Sequence, residues 1–194
     1  MEKPVTPKKE STPLITLIVT SIVAIFTGVA TNYDKIFSKS ETKPATEELK
    51  KEISLTFAEK LNKVINESPL TFSNIIGVIR EEDEVTKNYH SSINFEEGMT
   101  SVVFPIDTAE KAHFQVDIYS GFDTNLANQK YTDIYKKISE SVKTKAVKEE
   151  SVNENISTEI TTFEKGSTNI SIYVTTTQTE TETTFDVTLV VGQK

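Results

Sequence analysis

The run His113-Phe114-Gln115-Val116-Asp117-Ile118-Tyr119 decides the fold. Successive side chains of an extended chain point to opposite faces, so Phe114, Val116 and Ile118 fall on one side while Gln115 and Asp117 fall on the other. That alternation predicts a strand with one packed and one wet face. The same period recurs near the C-terminus, in Ile170, Ile172 and Val174 and again in Phe185, Val187 and Leu189. Turn-forming residues at Lys165-Gly166-Ser167 and from Thr179 to Glu182 divide this part of the chain into strands at 156–163, 170–177 and 185–191. The threonine run 175–184 fits exposed strands at a hairpin tip, where β-branched residues are favoured.

Upstream of His113, residues 74–80 form a short apolar run of strand length, and Glu81-Glu82-Asp83-Glu84 reads as an exposed turn. Tyr89, Ile93 and Phe95 favour a second strand, and 101–106 a third, edged by Pro105. Two helices frame these strands. Thr46 with Glu47 and Glu48 opens the first, whose apolar face is Leu49, Ile53, Phe57, Leu61, Val64 and Ile65 and which Pro69 ends. The second spans 124–144, with Ala127, Tyr131, Ile134, Tyr135, Ile138 and Val142 on one side and Lys130, Lys136, Lys137, Lys143 and Lys145 on the other. The basic face reads as a solvated one.

The order is helix, about four strands, helix, three strands, without the βαβ rhythm of a parallel sheet. Residues 46–194 are therefore expected to form one small α+β domain, an antiparallel sheet of about six or seven strands with two helices packed on one face. The repeated helix-then-strands order hints at an internal duplication, although no residue-level match joins the halves.

The N-terminal part differs in kind. No charged residue occurs over the 23 positions from Ser11 to Tyr33. About 20 helical residues cross the roughly 30 Å hydrocarbon layer of a bilayer. Residues 13–33 are thus expected to be a transmembrane helix, a single-pass signal-anchor, with 1–12 as a short tail and 34–45 as a polar linker. The rival reading is a signal peptide cleaved after Ala30, since Lys3, Lys8 and Lys9 precede the run and Gly28-Val29-Ala30 offers small residues. The basic counts on the two flanks are similar, so orientation follows the usual shape of an uncleaved signal, with the tail inside and the domain outside the cytoplasm. Thr20, Ala24 and Gly28 recur every four residues, a small-residue stripe through which two such helices can approach closely as a homodimer.

Composition narrows the chemistry. The net charge is −8, which repels phosphate backbones and argues against nucleic acid as a partner. The absence of cysteine removes disulfides, thiol catalysis and thiolate metal sites. Six glycines are scattered singly, so no phosphate-binding loop can be drawn, and no nucleophile elbow occurs. No cofactor, metal or catalytic set is assigned. The expectation is a membrane-tethered, non-enzymatic binding or assembly module that engages the bilayer through 13–33 and an unknown protein or a small apolar ligand through its domain. The alternative is a membrane-anchored or secreted hydrolase whose site would be assembled from His90, His113, Asp107 and Asp117, provided that folding brings an imidazole and carboxylates within hydrogen-bond reach.

Overall fold

Each helix of this protein leads into a four-stranded meander, and the two meanders meet along their last strands. The computed structural model describes residues 55–106 and 111–194. In chain order the elements are α1 (Phe57–Glu67), a 3-10 turn (Ser68–Leu70), β1 (Ile76–Glu82), β2 (Thr86–Ser91), β3 (Met99–Pro105), β4 (His113–Gly121), α2 (Thr124–Val142), β5 (Val147–Asn153), β6 (Ile156–Lys165), β7 (Thr168–Gln178) and β8 (Thr183–Gln193). All eight strands belong to one antiparallel sheet in the order β1-β2-β3-β4-β8-β7-β6-β5.

The α+β architecture expected above needs correction. The sheet has eight strands rather than six or seven, and among the described residues no helix is long and apolar enough to cross a membrane. The 13–33 segment, its Thr20-Ala24-Gly28 stripe, the 1–12 tail and the 34–45 linker lie outside the described residues. The additional strand is β5, which the charged Lys148-Glu149-Glu150 stretch disguises as a connection. It is an edge strand, almost wholly exposed, and charge on an exposed edge discourages pairing with stray chains. β1, the other edge, is broken instead by two register shifts against β2.

Other boundaries move for local reasons. The expected opening at Thr46, with Leu49 and Ile53, lies outside the described residues; within them α1 begins at Phe57, where Thr56 and Glu59 form a reciprocal capping box: the Glu59 carboxylate accepts from the Thr56 backbone N–H at 2.8 Å, and the Thr56 hydroxyl accepts from the Glu59 N–H. Asp123 caps α2 by accepting from the Asn125 and Leu126 backbone N–H groups at 2.8 and 3.1 Å. Ile93 and Phe95, read as strand residues, lie in the β2–β3 connection yet are buried in the core. Glu81 and Glu82, read as turn, extend β1, and the turn falls at Asp83, whose Oδ1 accepts from the Val85 and Thr86 N–H groups at 2.7 Å each.

Both helices pack on the same face. α1 and α2 touch one another and both touch β8, while Phe114, Val116, Val187, Leu189, Val191, Ile170 and Ile172 point up into them. Phe114 is fully buried at the centre, with the rings of Phe95 and Phe72 at 5.8 and 6.4 Å. Phe72 reaches that position from a left-handed backbone, φ 60°, directly after Thr71 at φ 52°. Such residues are held against a backbone cost only where surrounding packing fixes them, here by complete burial of the ring. Truncating Phe114 to alanine removes the ring against which these neighbours rest. Phe114→Ala is expected to lose about 3–5 kcal/mol of stability, measured as a lower urea midpoint at an unchanged denaturant slope.

Candidate functional site

The face of the sheet opposite the helices carries most of the sheet's polar side chains, with Val103 and Ile160 buried among them, and at its centre it is not wet. Cross-strand partners share a face, so the β4–β8 and β7–β8 registers place Gln115, Asp117, Asp186, Thr188, Ser171, Tyr173 and Thr175 together on this side. Gln115 and Thr188 are each 1% exposed, and Ser101, Thr158, Thr175 and Asp186 are likewise buried. The wet face expected from the alternation at 113–119 is corrected accordingly: the period is right, but the polar side chains of the central strands are sequestered.

A bulge in β4 organises the site. Asp117 stands opposite Thr188 and Tyr119 opposite Val187, so Ile118 is an extra residue in β4. The bulge lets both Ile118 and Tyr119 serve the apolar side, and it brings Ser120 opposite Asp186 on the polar side. Gly98 makes room for it: a Cβ there would stand 2.1 Å from the Asp117 carbonyl oxygen, which no side chain tolerates.

Two carboxylates result, one residue diagonal to the other across the central pair. Gln115 Nε2 donates to Asp117 Oδ1 at 2.7 Å. Burial pushes the Asp117 carboxyl above its ordinary range, the Gln115 bond and the charge of Arg80 on β1 hold it down, and the charge of Asp186 adds to the rise. Burial likewise pushes Asp186 up, against a hydrogen bond from the Ser120 hydroxyl. Neither carboxylate belongs to an ion pair among the described residues, whose three salt bridges, Lys87–Glu82, Lys137–Glu97 and Lys194–Glu164, all lie elsewhere. Four side-chain oxygens on this face have no hydrogen-bond partner: Asn88 Oδ1, Gln115 Oε1, Asn169 Oδ1 and Asp186 Oδ1. Read this way, every one of them is an acceptor, and leaving such an atom buried without a donor costs about 1–3 kcal/mol.

The residues singled out for hydrolysis do not assemble. His90 is exposed on β2, His113 is half-buried on β4 two residues from Gln115, and Asp107 lies outside the described residues. The register sets His90, His113 and Asp117 on one face but in three different rows, and no imidazole–carboxylate hydrogen bond is present among the described residues. Burial lowers the His113 pKa below its ordinary 6.5, opposed by the Lys111 backbone and the Gln115 side chain. No three acidic or imidazole groups gather to hold a metal ion among the described residues. Sequence reasoning missed Asp186, Gln115 and Asn88. The available signal was an aspartate inside the apolar alternation Phe185-Asp186-Val187-Thr188-Leu189, although its nearness to Asp117 follows only from the β4–β8 pairing.

A concavity lies elsewhere, an open groove beside α1 lined by Lys60, Lys63, Asn66, Glu67 and Asn94, which mixes both signs of charge and contains no buried titratable group.

The shifts fix opposite pH dependences. Asp117 and Asp186 titrate higher folded than unfolded, so the folded chain holds more protons between the ordinary 3.8 and the folded values, and stability falls as pH rises through that window. His113 titrates lower folded than unfolded, so its contribution is lost as pH falls from 6.5 through the folded value. Melting curves from pH 4 to 8 are expected to show Asp186→Asn more stable than the parent at pH 8 and less responsive to acid, whereas His113→Gln removes an acid-side loss. Comparison with family models, with curated proteins and with solved structures finds no match to this chain.

Proposed function

We propose that this protein is a membrane-tethered, non-enzymatic binding module that holds an acidic antiparallel-sheet domain outside the cytoplasm and recognises its partner with the helix-free face of that sheet. The observation that carries this reading is the set of buried acceptor oxygens without partners among the described residues on one face, the Asp186 carboxylate among them, beside a second buried carboxylate, Asp117, that no imidazole hydrogen-bonds. Polar groups are normally satisfied when buried, so acceptors left over on one face make it the surface best suited to take donors from another molecule. The tether rests on the uncharged run 11–33, and display outside rests on the shape of the N-terminal segment.

The polarity of the face also selects between the two classes of partner. A small apolar ligand would leave the acceptor oxygens as unsatisfied as before, whereas a protein or another polar partner supplies donors. Around the buried centre, Met99, 45% exposed opposite Asp117, and exposed His90 provide the accessible rim.

Two measurements test this reading. Protease added outside sealed cells is expected to release a fragment that begins within 34–46 and retains the sheet domain; protection of the domain overturns external display, and a soluble product beginning at Thr31 overturns the tether. A photo-crosslinking residue at position 99 is expected to capture a partner that the same residue at position 136, on the lysine face of α2, does not. Equal capture at both positions, or none at 99, removes the helix-free face as the recognition surface.

A further inference from the structure

We infer that the Asp117–Asp186 site takes a cationic nitrogen group, a primary ammonium or a guanidinium, whose N–H donors satisfy the unpartnered Asp186 Oδ1 and reach the Asp117 carboxylate. This deepens the binding reading above and rests on it.

The chemistry of the site is one-sided. Gln115 is 1% exposed and its amide lies between the two neighbours on its strand, donating one N–H to Asp117 Oδ1 while its side chain also bears on the His113 imidazole. Asp186 is 6% exposed, and its Oδ1 has no partner among the described residues. The immediate neighbours Ser120 and Thr188, across from Asp186 and Asp117, supply hydroxyls that can turn to donate or accept. An anion would meet two carboxylates with Arg80 as the one cation acting on them, and an apolar group would leave the buried Asp186 oxygen without a donor. A cation with several N–H donors meets a complementary surface, because a charge-assisted bond to a carboxylate is roughly twice as strong as a neutral one.

The choice of an organic cation over a metal ion follows from the donor set. Hard cations such as calcium take about six to eight oxygens, several of them carboxylates, converging on one point. Here the two aspartates stand on adjacent strands, Asp186 two positions along β8 from the Thr188 that faces Asp117, and among the described residues no third acidic or imidazole group joins them. An ammonium or a planar guanidinium spreads its donors over just such a separated pair. Entry is from the β3 side, where Asp117 is half-buried and exposed Met99 faces it across the strand pair. The net charge of −8 draws cations toward the domain as a whole, so the test has to separate this site from that general attraction.

Calorimetric titration of the full chain in mild detergent at pH 8, with spermidine and with Nα-acetyl-arginine amide as probes at matched ionic strength, reads the inference. Saturable binding of either probe is expected, weakened at least tenfold by Asp186→Asn and unaffected by Glu149→Gln, which removes an exposed acid on the β5 edge. Tighter binding of spermidine assigns a free polyamine as the source of the cation; tighter binding of the arginine amide assigns a peptide side chain. Carbon-13 carboxyl titration of the unmodified chain gives a second readout that requires no variant to fold: saturation is expected to lower the midpoints of Asp117 and Asp186. No saturable heat from either probe, an equal loss in Glu149→Gln, or unmoved carboxyl midpoints would overturn the inference. Capture from position 99 without amine binding would leave the recognition face standing and remove only its cationic ligand, whereas loss of that capture removes the face itself.

Discussion

The structure hangs on the antiparallel pairing of β4 with β8. These two strands are the only contact between the meanders within the sheet, and each of their residues serves one of two opposed tasks. Phe114 with Val191 and Val116 with Leu189 build the floor on which both helices rest; Asp117 with Thr188 and Gln115 with Val190 build the other face. A slip of one residue would exchange the tasks, burying carboxylates under the helices and turning phenylalanine out. The register is therefore held from both sides at once, by apolar burial on one and by a cross-strand polar set on the other.

Much of the domain was legible because its periods are clean. The alternation at 113–119 and at 170–174 located central strands, and the 3–4 spacing at 127–142 located α2 to within two residues of its end. What escaped has physical reasons. β5 carries its own charge because it is an edge, so no apolar pattern betrays it. The helix-free face was assigned to solvent because alternation reports which residues share a side and not what surrounds them. Asp186 and Asp117 are far apart in sequence, and only the pairing of β8 with β4 makes them neighbours. The two histidines entered only the alternative, hydrolytic reading, and of them burial perturbs His113, as it does the carboxylates Asp117 and Asp186.

The hint of duplication now has a geometric form. Each half is a helix followed by four consecutive strands, and the halves meet last strand to last strand, which relates them by an approximate two-fold through the β4–β8 seam. The symmetry is broken where the two carboxylates lie. β4 contains the bulge and β8 does not, and the threonine-rich second meander is longer in every strand than its counterpart except at the outer edge, where β5 and β1 are equal in length.

Six of the seven strand pairings join neighbours in the chain, and the seventh, at the seam, joins Gly121 to Phe185 at its near end, 64 positions apart. Closing a loop of that length costs about 2–3 kcal/mol more entropy than closing a hairpin turn of a few residues. Local contacts therefore favour each meander before the seam, whose closure carries the largest entropic cost of the seven pairings. Until that closure, β4 and β8 are both open edges with apolar side chains. This interval, rather than the finished fold, is when the chain is most exposed to pairing with another copy of itself.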